Sequence, residues 1–394
     1  MSNTNLTIDM VTRESLRVAH EKAKFVGTVD RSYDDEFAKT GAKIGSVLRI
    51  RKPNEYTVRT SGRVMDVQDQ DEANTTVTLA TQYGVDMRFN SSELALDIDM
   101  FSKRYIEPAV SRLMSKVDAA CLETATKATY QLTGTAGTLV GASADLSALF
   151  NARAKLNQQC APSGDRVIQV DSVTMGSIVN GAKALFHDGA QVKEAFREGH
   201  YARTAMADFY ENERTYSHTN GSDHTTVTVD ESSFANGDTT ITTAGGNVKA
   251  GTVFTIADVY DVHPETKVAY PHLKQFVLTA DATTSWTFSP AIYSSGPKQN
   301  ISAMPANTAA ITLVGSASAA YRHNLMYHKE AFTFVTADLP LMDDAHKCVR
   351  RTQDGISLRV WQGSDIRNDE LLMRIDLLWG FASLKPEWAC RLTN

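Results

Sequence analysis

The residues best equipped for nucleophilic or metal chemistry in this chain are its ten histidines and four cysteines. They are dispersed. His263 with His272, and His323 with His328, are the pairs to weigh as metal ligands, but isolated histidines on strands and loops are more often structural or exposed. His346, Lys347 and Cys348 put a base beside a thiol without a loop to stabilise an oxyanion. The carboxylates Asp66, Asp69, Asp71 and Glu72 fall in a turn between strands and read as solvated rather than as a cation site. Asp97 and Asp99 directly precede a long helical stretch, where acidic groups favour the helix dipole. Cys121, Cys160, Cys348 and Cys390 follow neither a disulfide nor a metal spacing and are expected to be reduced and buried. Phosphate-binding loops, GxSxG, HExxH and CxxC patterns are absent. The expectation is therefore no catalytic, cofactor-binding or metal residue, and no cofactor.

A chain without a reaction to position must be organised around something else, and the most continuous signal is 101–130, FSKRYIEPAVSRLMSKVDAACLETATKATY. Ile106, Val110, Leu113, Val117, Ala120, Cys121 and Ala125 recur at helical spacing. Ser102 suits the cap, Glu107 the first turn, and Pro108 is tolerated so near the start. At ~1.5 Å per residue this is a rod of roughly 40 Å.

Before it, residues 1–40 are charged and amphipathic. Leu16, Ala19, Ala23 and Val26 form a modest stripe, too small to fold alone, so this segment should be an arm that packs on its own body or a neighbour. From 41 to 90 the period becomes two, with turns at Pro53-Asn54-Glu55 and Ser61-Gly62, which predicts a long antiparallel hairpin needing outside support. After the helix, a second helical segment at 146–159, a short strand at 166–171 and helical pieces to about Arg197 suggest an α/β layer.

Between 216 and 320 the composition turns to Thr, Ser, Gly and Val with five of the ten prolines. About six strands of a separate barrel or sandwich are expected there. Eight acidic residues against four lysines give this stretch a net charge of -4. Beyond it, Leu371 to Leu384 reads as an inner strand broken by Arg374 and Asp376. The β segment is thus inserted into a parent fold whose halves flank it.

The net charge of -6 argues against a general nucleic-acid binder. The apolar runs fall short of a bilayer span, and the polar start predicts no signal peptide and cytoplasmic synthesis. The Asn-x-Ser/Thr triplets at Asn5, Asn74, Asn90 and Asn220 are then chance matches.

YGVDMRF followed by FSKRYIEPAV, VKAGTVFTIADVYDVHPETK, and the closing RIDLLWGFASLKPEWACRL resemble the coat proteins of short-tailed bacteriophages of the Salmonella-phage type. The resemblance runs from about residue 8 to 392. It implies an α+β Hong Kong 97-like capsid fold: N-terminal arm 1–40, E-loop hairpin 41–90, then spine helix, peripheral domain and first part of the axial domain across 91–215. A six-stranded antiparallel β-barrel at 216–320 is inserted before the remaining axial and peripheral parts at 321–394. The implied function is a major capsid protein forming hexamers and pentamers of an icosahedral shell around double-stranded DNA, through a maturing precursor assembled in the bacterial cytoplasm. Implied partners are other copies of itself, a scaffolding protein, a portal and packaged DNA, with no membrane. No position aligns with the lysine to asparagine cross-link of some relatives.

Candidate subunit contacts follow from charge on the arm and the hairpin. On the arm they are Arg13, Glu14, Arg17, Glu21, Lys22 and Lys24, which the resemblance assigns to a scaffolding contact that switches between precursor and mature shells. On the hairpin they are Arg49, Arg51, Lys52, Glu55, Arg59 and Arg63. Rival readings are an encapsulin-like shell, a β-rich binding protein, and a hydrolase using His346 and Cys348.

Overall fold

The computed structural model describes residues 8–32, 47–56, 58, 62–63, 65, 67, 74–90, 105–182, 203–223, 227–342, 347–353, 356–365, 367–368 and 370–394. The chain forms two compact units: Met1–Ile50, Thr75–Cys121 and Phe332–Leu384 make the first, and Arg51–Asn74, Leu122–Ala331 and Lys385–Asn394 the second.

The first unit is built on the strand Glu370–Ser383, the inner strand that its apolar run predicts. One edge pairs with Thr81–Asn90, the other with Ile356–Asp365 and then Phe332–Ala337, all antiparallel; Lys347–Gln353 closes the sheet beyond Ile356–Asp365. This last strand, KCVRRTQ, is an edge whose basic side chains discourage pairing with a further strand. Helix α1, Ile8–Lys22, lies against Lys347–Gln353 and Ile356–Asp365. Val11, Leu16, Val18 and Ala19 are buried on it, and Phe25, Val26 and Val29 continue the apolar side past its end. Burial against its own sheet provides what the short stripe lacks alone.

Helix α2 runs Glu107–Ala128, beginning with Glu107 in its first turn. The expected cap Ser102 and the carboxylates Asp97 and Asp99 lie outside the described residues. Ile106, Val110, Leu113, Val117, Cys121 and Ala125 are all buried, as their spacing predicts, while Ala120 is half-buried. Met114 and the charged Asp118 are buried as well, so the covered surface is wider than the stripe.

In the second unit, a mixed sheet takes the order Leu132–Thr133, Ala389–Thr393, Ala320–His328, Arg166–Val170, Ala207–Glu211, Arg203–Thr204, with Ser217–Thr219 on the end of Ala320–His328. Helices α3 (Ser147–Gln158) and α4 (Ser172–Ala182) supply Leu149, Leu156, Met175 and Ile178 to the core on this sheet. Asp171 caps α4, accepting from the Thr174 amide at 3.2 Å. The helical pieces expected further on, to Arg197, lie outside the described residues.

The Thr- and Gly-rich stretch folds as a six-stranded antiparallel sheet, ordered Asp238–Thr242, Ser285–Ile292, Ala269–Leu278, Val253–Val262, Ala310–Leu313, Val227–Thr228. Its two outer strands meet. Val229 bridges Thr243, the Asp230 amide donates to Thr242 O at 2.9 Å, and the Ala244 amide to Thr228 O at 3.0 Å, curling the sheet toward a closed barrel. Phe254, Phe276, Trp286 and Phe288 fill it, with ring centroids 5.3 to 6.0 Å apart. Gly246, at φ +113°, passes so close to the Trp286 ring that a Cβ there would meet it at 3.1 Å.

Candidate contact surfaces

The arm is stapled to its own chain. Asp118, buried in the middle of α2, accepts the amides of both Phe25 and Val26 at 3.0 Å, fixing the turn that follows α1. The Phe25 ring then sits 6.2 Å from Phe332 and 6.0 Å from Phe381. What α1 and the turn after it leave outward is charge: Arg13, Arg17 and Lys24 are exposed. Glu14 pairs with Arg17 at 2.7 Å, and that hydrogen bond holds the Glu14 carboxyl below its usual range. So exposed a pair contributes little to stability and is free to exchange partners. Nothing is described of the side chains of Glu21 and Lys22.

At the hairpin's base, Val47–Arg51 pairs with Asn74–Thr78. Leu48 and Ile50 pack with Val77, Leu79, Val335 and Leu384, so the base has a small core of its own where the sequence suggested none. The period-two pattern hid this because two of the residues that cover Leu48 and Ile50, Val335 and Leu384, come 285 to 336 positions later. Arg49, Arg51, Glu55 and Arg63 are exposed and Lys52 is half-buried; Arg59 and the carboxylates Asp66, Asp69, Asp71 and Glu72 lie outside the described residues. Lys52 lies within electrostatic reach of Glu387, and Glu55 of Lys267. The more telling feature is apolar. Val58 is 87% exposed, Met65 76% and Val67 80%, with Tyr56 beside them also open. Charge drew attention to this ribbon, but its uncovered valines and methionine are the groups whose exposure asks for a partner.

The histidines weighed for metal chemistry are occupied otherwise. The Nδ1 of His263 accepts the amides of Glu265 and Thr266 at 3.1 and 3.2 Å, and that of His328 accepts the Glu330 amide at 3.3 Å. His272 stacks on Tyr270 and lies 3.4 Å from Asp261. His323 meets His218, 5.9 Å between ring centroids, and not His328. His346 lies outside the described residues. Among the described residues, no group of three His, Cys, Asp or Glu side chains is placed to hold a metal ion, and no helix is long and apolar enough to cross a membrane.

All four thiols are free, but only two are buried as expected. Burial pushes the Cys390 thiol up to about 11 and the Cys121 thiol up as well. Cys160 is exposed, because it forms the left-handed turn at φ 56° that ends α3, and Cys348 is half-buried on the edge strand.

Sequence reasoning missed the buried polar groups. Asp261 accepts from Lys274 at 2.8 Å and from Gln159 at 3.1 Å, and Lys274 lies 5.1 Å from the Tyr130 ring centroid. Gln275 bonds both the amide and the carbonyl of Leu132, at 2.9 and 3.0 Å. These contacts join the barrel to the α/β part of the second unit.

Residues 67–392 match the family model described as "P22 coat protein - gene protein 5". No curated protein matches. Among solved structures, one from Mycobacterium phage Che8 is 11% identical with a TM-score of 0.54, covering 94% of this chain and 90% of that one, a likeness of fold. The capsid structure of cyanophage P-SCSP1u is 13% identical with a TM-score of 0.45, covering 88% and 83%. The CUS-3 coat protein I-domain is 28% identical with a TM-score of 0.21, covering 24% of this chain and 100% of that one.

Proposed function

Since the chain belongs to the P22 coat-protein family and is a structural protein of a phage capsid with the Hong Kong 97-like fold, we propose that its copies form the hexamers and pentamers of an icosahedral shell around double-stranded DNA. On this reading a precursor shell forms first, in the host cytoplasm, and matures by conformational change.

The observation that carries the reading is the exposure of Val58, Met65 and Val67, which lie in sequence between the paired strands Val47–Arg51 and Asn74–Thr78. Burying each such side chain contributes roughly 1.5–3 kcal/mol, so a neighbouring subunit that covers all three gains substantially. The exposed charges Arg13 and Arg17, the half-buried Glu14 on α1, and the exposed Lys24 just beyond it suit a salt-sensitive contact with a scaffolding protein. A portal and non-specifically bound DNA complete the partners.

The domain reading is arm 1–40, hairpin 41–90, spine and first peripheral and axial parts 91–215, barrel 216–320, and remainder 321–394. The barrel is placed on the outer face. Asp261 and Lys274 neutralise each other inside it, so its net charge of -4 is carried by the other side chains and would repel packaged DNA through ~8 Å screening.

Electron microscopy of the full-length chain and of a Val58→Asp, Val67→Asp double variant tests the proposal. Shells from the parent and soluble capsomers or monomers from the variant are expected; undisturbed shells from the variant contradict it.

A further inference from the structure

Arg391 is a fully buried cation that no carboxylate answers. Its Nη1 donates to Gly251 O at 2.7 Å and its Nη2 to Lys127 O at 3.3 Å, both neutral carbonyls, while its Nε has no partner among the described residues. Among the described residues no acidic side chain lies within ion-pair distance of it. Removal from water outweighs the opposing influence of Tyr216 and Cys390 and pushes its pKa down to about 9. An unpaired charge at such a site is costly unless something neutralises it.

Beside Arg391 is a small cavity, bounded also by His218, Asn220, Tyr321, His323 and Thr393. About 10 Å³ of it is open to the centre of a water-sized sphere, the space of roughly one small particle. None of its lining residues is acidic. Thr393 Oγ1 and His323 Nδ1 are, like Arg391 Nε, buried without a partner among the described residues. The three side chains that carry these atoms, Arg391, His323 and Thr393, therefore all line one small space.

We propose that this cavity binds a small monovalent anion of the chloride class, held by the Arg391 Nε–H, the Thr393 hydroxyl and the His323 ring N–H. The guanidinium Nε can only donate, and the hydroxyl and the neutral imidazole can both do so, which matches an acceptor-only ligand. A metal cation is repelled by Arg391, and a tetrahedral oxyanion exceeds the space. A water molecule fits the volume but leaves the charge unanswered. The bound anion stabilises the second unit at the point where Arg391, on the strand Ala389–Thr393, reaches Gly251 of the barrel and the end of α2.

Thermal unfolding of the unassembled full-length chain, with sodium chloride exchanged for sodium gluconate at fixed ionic strength, tests this. Tm should rise saturably with chloride, bromide should reproduce the rise, and the chlorine NMR line should broaden on adding protein. Thr393→Val, which keeps shape and removes a donor, should lose most of both effects; Arg391→Met should abolish them if it folds. A Tm indifferent to chloride, a rise unchanged in Thr393→Val, or a chlorine line that the protein does not broaden, as for a site holding only water, would overturn the proposal.

Discussion

Arg359 and Asp376 face each other on neighbouring strands, Nη2 donating to Oδ2 at 2.7 Å with both side chains buried. On the opposite strand Gly84 is paired with Asp376, and a Cβ at Gly84 would lie 2.5 Å from Asp376 Oδ1. Arg374 donates to that same Oδ1 at 2.7 Å. The missing side chain at Gly84 therefore makes room for the carboxylate on which two guanidiniums converge.

Removing one partner from this set should cost far more than removing both. Asp376→Asn is expected to destabilise the chain by about 3–5 kcal/mol, because Arg359 stays buried with its charge uncompensated, while Arg359→Met with Asp376→Leu costs less than the single change. Denaturant unfolding of both variants decides it. Equal losses would show that the pair is not held as a unit. Gly84→Val should resemble Asp376→Asn by displacing the carboxylate.

Asp118→Ala should free the arm without unfolding the rest of the first unit. Two amide bonds to a charged group are lost, each contributing about 1.5–3 kcal/mol. Hydrogen exchange at Phe25 and Val26 is the direct readout. Protection unchanged from the parent would contradict the assignment.

The legible parts of this chain were those whose signal is local. The apolar spacing from Ile106 to Ala125 and the inner strand beginning at Leu371 were readable because a periodic stripe needs no knowledge of its partner. The exposed Val58, Met65 and Val67 were visible only as alternation. The buried charges were not readable at all: Asp118 accepts from amides 93 and 92 residues away, and Arg391 donates to a carbonyl 140 residues away. Their type predicts solvent exposure, and only the tertiary fold supplies the exception.

Acid should weaken the second unit in a defined window. Burial, with the charges of Arg391 and His218, holds the His323 pKa well below 6.5, so the native state keeps it neutral while the unfolded chain protonates near ~6.5. The unfolded state then binds more protons, and stability present above ~6.5 is lost as pH falls toward the folded value, at about 1.4 kcal/mol per pH unit for one group. His328, lowered chiefly by burial, adds to the same slope. His323→Asn should flatten the pH dependence of unfolding below ~6.5; a slope identical to the parent's would exclude His323 as its source.

At lower pH the Asp261 cluster should fail next. Burial raises its pKa, but the hydrogen bonds from His272 and Lys274 and the charge of Lys274 outweigh it and hold the carboxyl below the ordinary value. Its contribution is present above ~3.9 and lost as pH falls through the folded pKa. Asp261→Asn should remove this acid step while destabilising the chain at neutral pH. An acid transition unchanged in that variant would be the contrary result.

Residues 216–320 alone should give a folded barrel. The closing bonds at Val229 and Thr243 and the Trp286-centred core lie wholly inside this stretch. Cooperative unfolding and dispersed amide resonances are expected, with Trp286→Ala costing about 3–5 kcal/mol. A collapsed or disordered fragment would show that Gln275 and Gly251 depend on their contacts with Leu132 and Arg391.

The central claim is that the hairpin serves another subunit. A cryo-electron microscopy map of the assembled particle, fine enough to place side chains, tests it most directly. Val58, Met65 and Val67 should lie within ~4.5 Å of apolar atoms of an adjacent copy and lose most of their exposure. A ribbon whose tip touches only its own chain, or remains in solvent, would contradict the account.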